Sequence, residues 1–286
     1  MPTIPQELLD NFRNGKCGIF VGAGASIPSG LPDWNGLLKE LVGKANSQPN
    51  IDKNMVKDFR KLLKDKSKHL MLASTLREEL GAEFGKFIES RFNDDSCKSS
   101  KVHKLIAELS PTFVITTNYD SLIERAYTER SLGKNCPNVF TYKQAGDVAS
   151  SLHRNKFFIL KAHGDAKINP EDIILTEKDY RRILHHEPGY QSLMQTLFTT
   201  FTIFFIGSSF ADIEVQLLLG FIHASFHGKT PVHYALQTAP EPNTALLKAW
   251  KNDFNIHSIH TRPDKNHKEV IQFLQTLKRK ITPTVK

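Results

Sequence analysis

With 286 residues, 40% of them hydrophobic and 24% charged, the chain has the composition of an ordinary globular protein, which excludes intrinsic disorder and a disulfide-stapled miniprotein. Three widely spaced cysteines, Cys17, Cys97 and Cys136, exclude a zinc ribbon or a disulfide framework and lead us to expect a reducing, cytoplasmic setting. The net charge of +8 is spread through acid-interrupted stretches such as DFRKLLKDKSKH and DYRRIL, which reads as a solvated surface or a groove for a small anion rather than a nucleic-acid face.

The first predicted element is a short apolar strand at 17–21 that runs into a flexible turn within GIFVGAGASIPSGLPDW, residues 18–34. Leu37, Leu38, Leu41 and Val42 then recur at helical spacing. A charge-rich, helix-patterned region follows (MVKDFRKLLKD, HLMLASTLREELG, EFGKFIESRF), and we read 50–100 as a helical insertion. Strand character returns at 113–116, 157–160, 202–206 and 232–236, with helices expected at 121–130, 177–184, 191–198, 212–226 and 268–279. This alternation predicts an α/β fold, a Rossmann-like doubly wound parallel sheet in a single domain spanning 1–286, with ligands at the carboxyl ends of the strands. The most apolar stretch, 197–206, is too short to span a bilayer, and no signal-peptide pattern opens the sequence, so no membrane association is expected.

A glycine turn between a first strand and a first helix lets backbone N–H groups approach a pyrophosphate, and Gly22 and Gly24 are the positions that would need to be small. The spacing departs from GxGxxG, because Ile27 stands three residues after Gly24, and a bare GxG also fits a simple tight turn. Three other segments end predicted strands: TTNYD at 116–120, KAHGD at 161–165 and GSSFAD at 207–212. Taken singly, Asn118 could be a cap residue, His163 a strand-end turn residue, and Ser208, Ser209 and Asp212 a helix start. Two other strings carry no chemistry: GKT at 228–230 lacks the upstream glycine of a phosphate loop, and His185-His186 has no metal-ligand spacing.

GAGASIPSGLPDW resembles the sirtuin nucleotide signature GAGxSxxSGxPDFR at Gly22, Ala23, Gly24, Ser26, Ser29, Gly30, Pro32 and Asp33. TTNYD is similar to the family's TQNxD, KAHGD carries its His-Gly, and Gly207, Ser208 and Ser209 stand where its late nucleotide loop belongs. The missing four-cysteine zinc ribbon, Trp34-Asn35 in place of Phe-Arg, Thr117 in place of Gln, and LTEKDYRRIL at 175–184 resemble the bacterial antiphage-defence branch, whose members mostly destroy NAD.

The resemblance implies NAD as substrate and Asn118 and His163 as catalytic residues. Breaking the nicotinamide–ribose bond passes through an oxocarbenium-like ribosyl cation. An amide such as Asn118 can donate to and accept from ribose hydroxyls or a water, and a histidine such as His163 can take a proton near neutral pH. Asp33 is a candidate for orienting the nicotinamide carboxamide, Asp120 for fixing the loop that bears Asn118, and Trp34 for covering the reacting face. Release of nicotinamide and ADP-ribose with no metal is the leading expectation, in the service of antiphage defence by NAD depletion. An NAD-dependent protein deacylase and a non-catalytic NAD or ADP-ribose sensor are the alternatives. The resemblance further suggests assembly with itself and with a separately encoded protein such as a HerA-type ATPase.

Overall fold

The computed structural model describes residues 2–210, 212–264 and 267–282. After the helix α1 (Gln6–Arg13), the strand β1 (Cys17–Val21) leads through the glycine turn to α2 (Trp34–Ser47), α3 (Lys53–Leu62), α4 (His69–Leu80), α5 (Ala82–Phe92) and α6 (Lys101–Leu109). Next come β2 (Val114–Thr116), α7 (Leu122–Arg130), β3 (Asn138–Thr141), α8 (Ala145–His153) and β4 (Phe158–Lys161). The remainder comprises α9 (Glu177–His185), α10 (Pro188–Thr200), β5 (Thr202–Ile206), α11 (Ile213–Ser225), β6 (His233–Thr238), α12 (Thr244–Phe254), β7 (Ile256–Thr261) and α13 (Lys268–Ile281).

The seven strands form one parallel sheet in the order β3-β4-β2-β1-β5-β6-β7. β1, β2, β4 and β5 are buried along their whole length, as near-continuous apolar strands are when helices cover both faces. Successive side chains serve opposite layers: Phe20, Ile115 and Phe205 join the core beneath α8, α10 and α11, whereas Ile19, Val114 and Phe204 join the one beneath α1, α6 and α13. A third core is helical. Leu38 and Leu41 of α2, Phe59 of α3, Leu72 and Leu76 of α4 and Phe84 and Ile88 of α5 pack together, so α2 joins the segments read as an insertion, while α6 returns to the sheet.

Four helices (α1, α6, α8 and α12) and two strands (β3 and β7) were not expected from the sequence. β3 and β7 are the edge strands, and β3 is short and nowhere fully buried, so neither presents the unbroken apolar run that marks the central strands. Among the described residues no helix is long and apolar enough to cross a membrane.

The strand order reverses at β1: the chain builds β2, β3 and β4 on one side, then crosses to β5, β6 and β7 on the other. Such a switch point opens a crevice at the carboxyl ends of the strands, where α/β sheets take their ligands.

Candidate active site

A cleft of about 540 Å³ lies at this switch point, within the range of roughly 300–1,000 Å³ usual for small-molecule sites. The candidate catalytic and binding residues line it: Gly22, Ala23, Gly24, Ser26, Asp33, Trp34, Asn118, Asp120, His163, Gly207, Ser208 and Ser209. Four loops leaving β1, β2, β4 and β5 bring them together, and the helical layer closes the other wall with Trp34, Lys66 and His69.

The β1 and β5 loops are locked against each other. Gly22 N donates to Ile206 O at 3.0 Å and Gly24 N to Gly207 O at 2.9 Å. A Cβ on Gly22 would come within 2.6 Å of Gly207 O, and one on Gly207, at φ +70°, within 2.5 Å of Ala25 N. These contacts give Gly22 and Gly24 a second role beside the expected one. Their smallness serves the approach of one loop to the other, and their amides are already engaged by β5 and its loop. In the same loop Ser208 Oγ accepts from Phe210 N at 3.3 Å, and Ser208 O accepts from the Gln237 amide at 3.2 Å. Ser209 is exposed at the rim.

Asn118 is held by its own backbone and side chain. Its N–H donates to Thr116 Oγ1 at 3.0 Å, while that hydroxyl donates to Val21 O at 2.9 Å. Its Nδ2 donates to Ser26 Oγ at 3.1 Å and Gly22 O at 3.3 Å, and its buried Oδ1 has no partner. The capping role a lone asparagine suggests falls instead to Asp120, whose Oδ1 accepts from Leu122 N at 3.0 Å and whose Oδ2 accepts from Ser26 Oγ at 2.9 Å. Asp33, exposed at the cleft rim, caps α2 by accepting from Gly36 N at 2.7 Å.

Beneath Ser26 stands His103, which the sequence did not single out. Its Nδ1 accepts from Ser100 N at 3.0 Å, which leaves Nε2 as the N–H that faces Ser26 Oγ at 3.3 Å. Burial holds its proton affinity below the usual range, with Asp120 opposing in part, so the neutral form fits this donor role. Lys161, fully buried, ties two loops: its ammonium donates to Asp120 O at 2.6 Å and Tyr119 O at 3.2 Å and lies 2.7 Å from Asp165 and 3.2 Å from Glu124.

His163 follows β4, and the left-handed Gly164 (φ +87°) turns the chain away directly after it. Its Nε2 sits 3.2 Å from Glu214 Oε2 and 3.6 Å from Asp212 Oδ2, both in the first turn of α11 or at its cap. Burial alone would lower its proton affinity; attraction to Asp212 and the hydrogen bond to Glu214 outweigh it and raise the pKa above 6.5. Asp212 caps α11 by accepting from Val215 N at 3.2 Å and also accepts from the Tyr180 hydroxyl at 2.8 Å. Tyr180 meets the His163 ring edge to face, with centroids 5.5 Å apart. His163, Asp212 and Glu214 have ligand-type atoms within 4.8 Å of one another, and the shorter of the two contacts of the ring is the Nε2–Glu214 hydrogen bond, so we read the group as a hydrogen-bonded dyad.

Glu214 was missed in the sequence because it stands 51 residues from His163 and looks like any acid in the first turn of a helix. Its signal was present only as a charged residue set among Ile213, Val215, Leu217 and Leu218.

Comparison with known proteins matches residues 112–259 to the SIR2-like domain. The chain is 28% identical over 273 residues to Defense-associated sirtuin 2 of Bacillus subtilis, covering 93% of this chain and 25% of that protein. It is 27% identical over 231 residues to NAD(+) hydrolase ThsA of Acinetobacter baumannii (80% of this chain, 44% of that one). Against NAD(+) hydrolase ThsA of Bacillus cereus the identity is 25% over 285 residues (94% and 56%). The chain thus spans between a quarter and about half of the length of these curated relatives.

Proposed function

The chain belongs to the SIR2-like domain family, and from that premise we propose that it is an NAD hydrolase, splitting NAD into nicotinamide and ADP-ribose with water as acceptor. The observation that carries the reading is Asn118: a buried side-chain amide with an unsatisfied carbonyl oxygen, in the same switch-point cleft as His163. In this reading Asn118 Oδ1 takes a ribose hydroxyl or the attacking water, and His163 accepts the proton that the water releases. The β1 and β5 loops seat the phosphates, Asp33 and Trp34 close the nicotinamide end, and Ser26 and Asp120 keep Asn118 in place. The names of the ThsA relatives support the substrate.

NAD depletion in antiphage defence is the role the reading implies, supported by the name of the Bacillus subtilis relative. Self-assembly and control by a separately encoded protein belong to the same proposal. They find a candidate surface on the outward face of α11, where Leu217 and Phe221 are 54% and 57% exposed. A protein deacylase is less well supported: Cys17, Cys97 and Cys136 are all free, and Cys17 is buried.

The test is incubation of the purified protein with NAD alone, with chromatographic identification of products. Equal amounts of nicotinamide and ADP-ribose without any acyl-lysine peptide are expected. Turnover that appears only with such a peptide would establish the deacylase, and ADP-ribose binding without turnover, with or without a partner, would establish a sensor.

A further inference from the structure

Glu214 is a costly residue to keep where it is. Its side chain is 2% exposed and its Oε2 faces the imidazole of His163 at 3.2 Å. A carboxylate buried this deeply loses its hydration, and the first turn of α11, His163 and the Tyr190 hydroxyl compensate. The charges that act on His163 are those of the acids Asp212, Glu214 and Asp179. From α9, Tyr180 presents its ring and Asp179 adds a more distant negative charge, itself held by Arg77 at 2.6 Å. From α10, Tyr190 lies beside Glu214 as a neutral hydrogen-bond partner, its hydroxyl kept protonated by burial and by the two carboxylates. Lys161, two residues before His163, is committed to Asp165 and Glu124.

We infer that Glu214, backed by Asp212, is the positioning carboxylate of His163: it accepts the Nε2–H, fixes the tautomer, and leaves Nδ1 as the nitrogen that takes a proton from the substrate side. This inference rests on the NAD-hydrolase reading. As the C1′–N bond breaks, its electron pair goes to the nicotinamide ring, which leaves neutral. The water oxygen bonds to C1′, and its proton passes to Nδ1 of His163. The resulting imidazolium is balanced by Glu214 and Asp212 before the proton leaves to solvent, so that NAD and water give nicotinamide, ADP-ribose and a proton. Glu214 itself is not on the cleft wall, whereas Asp212 and His163 are, which separates a supporting from a contacting role. A buried carboxylate behind a catalytic imidazole acts by orientation and by stabilising the charged ring, as in the serine-protease triad.

Glu214→Gln tests this, because it keeps the size and a carbonyl acceptor and removes only the charge. In the ligand-free protein, the titration of His163 is followed by NMR on histidine-labelled samples and assigned with His163→Ala. Its midpoint should fall by about one pH unit or more in Glu214→Gln. The acidic limb of the kcat/KM profile for NAD should move the same way, while kcat at high pH drops at least about tenfold with KM little changed. Asp212→Asn, which retains a helix cap, should give a smaller shift in the same direction and carries the test should the Gln variant not fold. An unchanged His163 midpoint in a folded variant, or a loss confined to KM, overturns the inference. Absence of turnover in the wild type would sink the hydrolase reading alone, because the NMR midpoint decides the dyad without it.

Discussion

Gly24 and Gly207 form a single joint: the amide of one donates to the carbonyl of the other at 2.9 Å, and a Cβ on Gly24 would stand 2.8 Å from that same oxygen. Gly24→Val therefore strikes the seam between the β1 and β5 loops. We expect a loss of about 1–3 kcal/mol in stability, seen as a lower melting temperature, together with weaker binding of NAD and ADP-ribose. A variant that melts like the wild type yet no longer binds ADP-ribose would place the phosphates directly against Gly24 instead.

Asn118→Ala should reduce NAD cleavage about a hundredfold or more, because it removes the amide oxygen that the reading assigns to orienting the ribose or the water. The fold should lose only about 1 kcal/mol, as Ser26 keeps its bond to Asp120 when the Nδ2 donor is gone. Single-turnover measurements beside a thermal melt check both halves. Wild-type turnover in the folded variant would remove Asn118 from the chemistry.

Two buried histidines should pull on stability in opposite directions as pH changes. Burial pushes His233 down to about 3, and its Nδ1 accepts from Ile203 N at 3.1 Å. Below about pH 6.5 the unfolded chain takes up this proton and the native one does not, so stability is complete above 6.5 and is lost as pH falls toward 3, by about 1.4 kcal/mol per unit. His163, raised above 6.5, does the reverse: its contribution is complete below 6.5 and is lost as pH rises through its native value. Urea unfolding of wild type and His233→Gln between about pH 4 and 6.5 should show a shallower decline in the variant. Parallel slopes would rule out His233 as the source.

Treatment with EDTA should leave both the melting temperature and NAD cleavage unchanged, because the lone pairs of Glu214 and Asp212 nearest His163 are read as acceptors for its N–H and not as metal ligands. Inactivation that added divalent cation restores would convert the dyad into a ligand set.

The central strands were legible because each is a short apolar run followed by a polar or glycine-containing turn, and such runs admit one reading when helices alternate with them. From that alternation the sequence determines a parallel sheet, and from the four motif-bearing strand ends it determines that Gly22, Asn118, His163 and Gly207 belong to one edge of it. What it could not determine is which partners those residues meet, since His103 reaches Ser26 across 77 positions and Glu214 reaches His163 across 51. Those pairings follow from the placement of β5 beside β1 and from the packing of α6 and α11 on opposite faces of the sheet. Local pattern encodes the period of each element, but strand order and layer are settled only when the apolar faces are buried together. That is why the glycines were visible from the start while the reason for them, one loop resting on another, and the carboxylate behind the histidine appeared only in the folded chain.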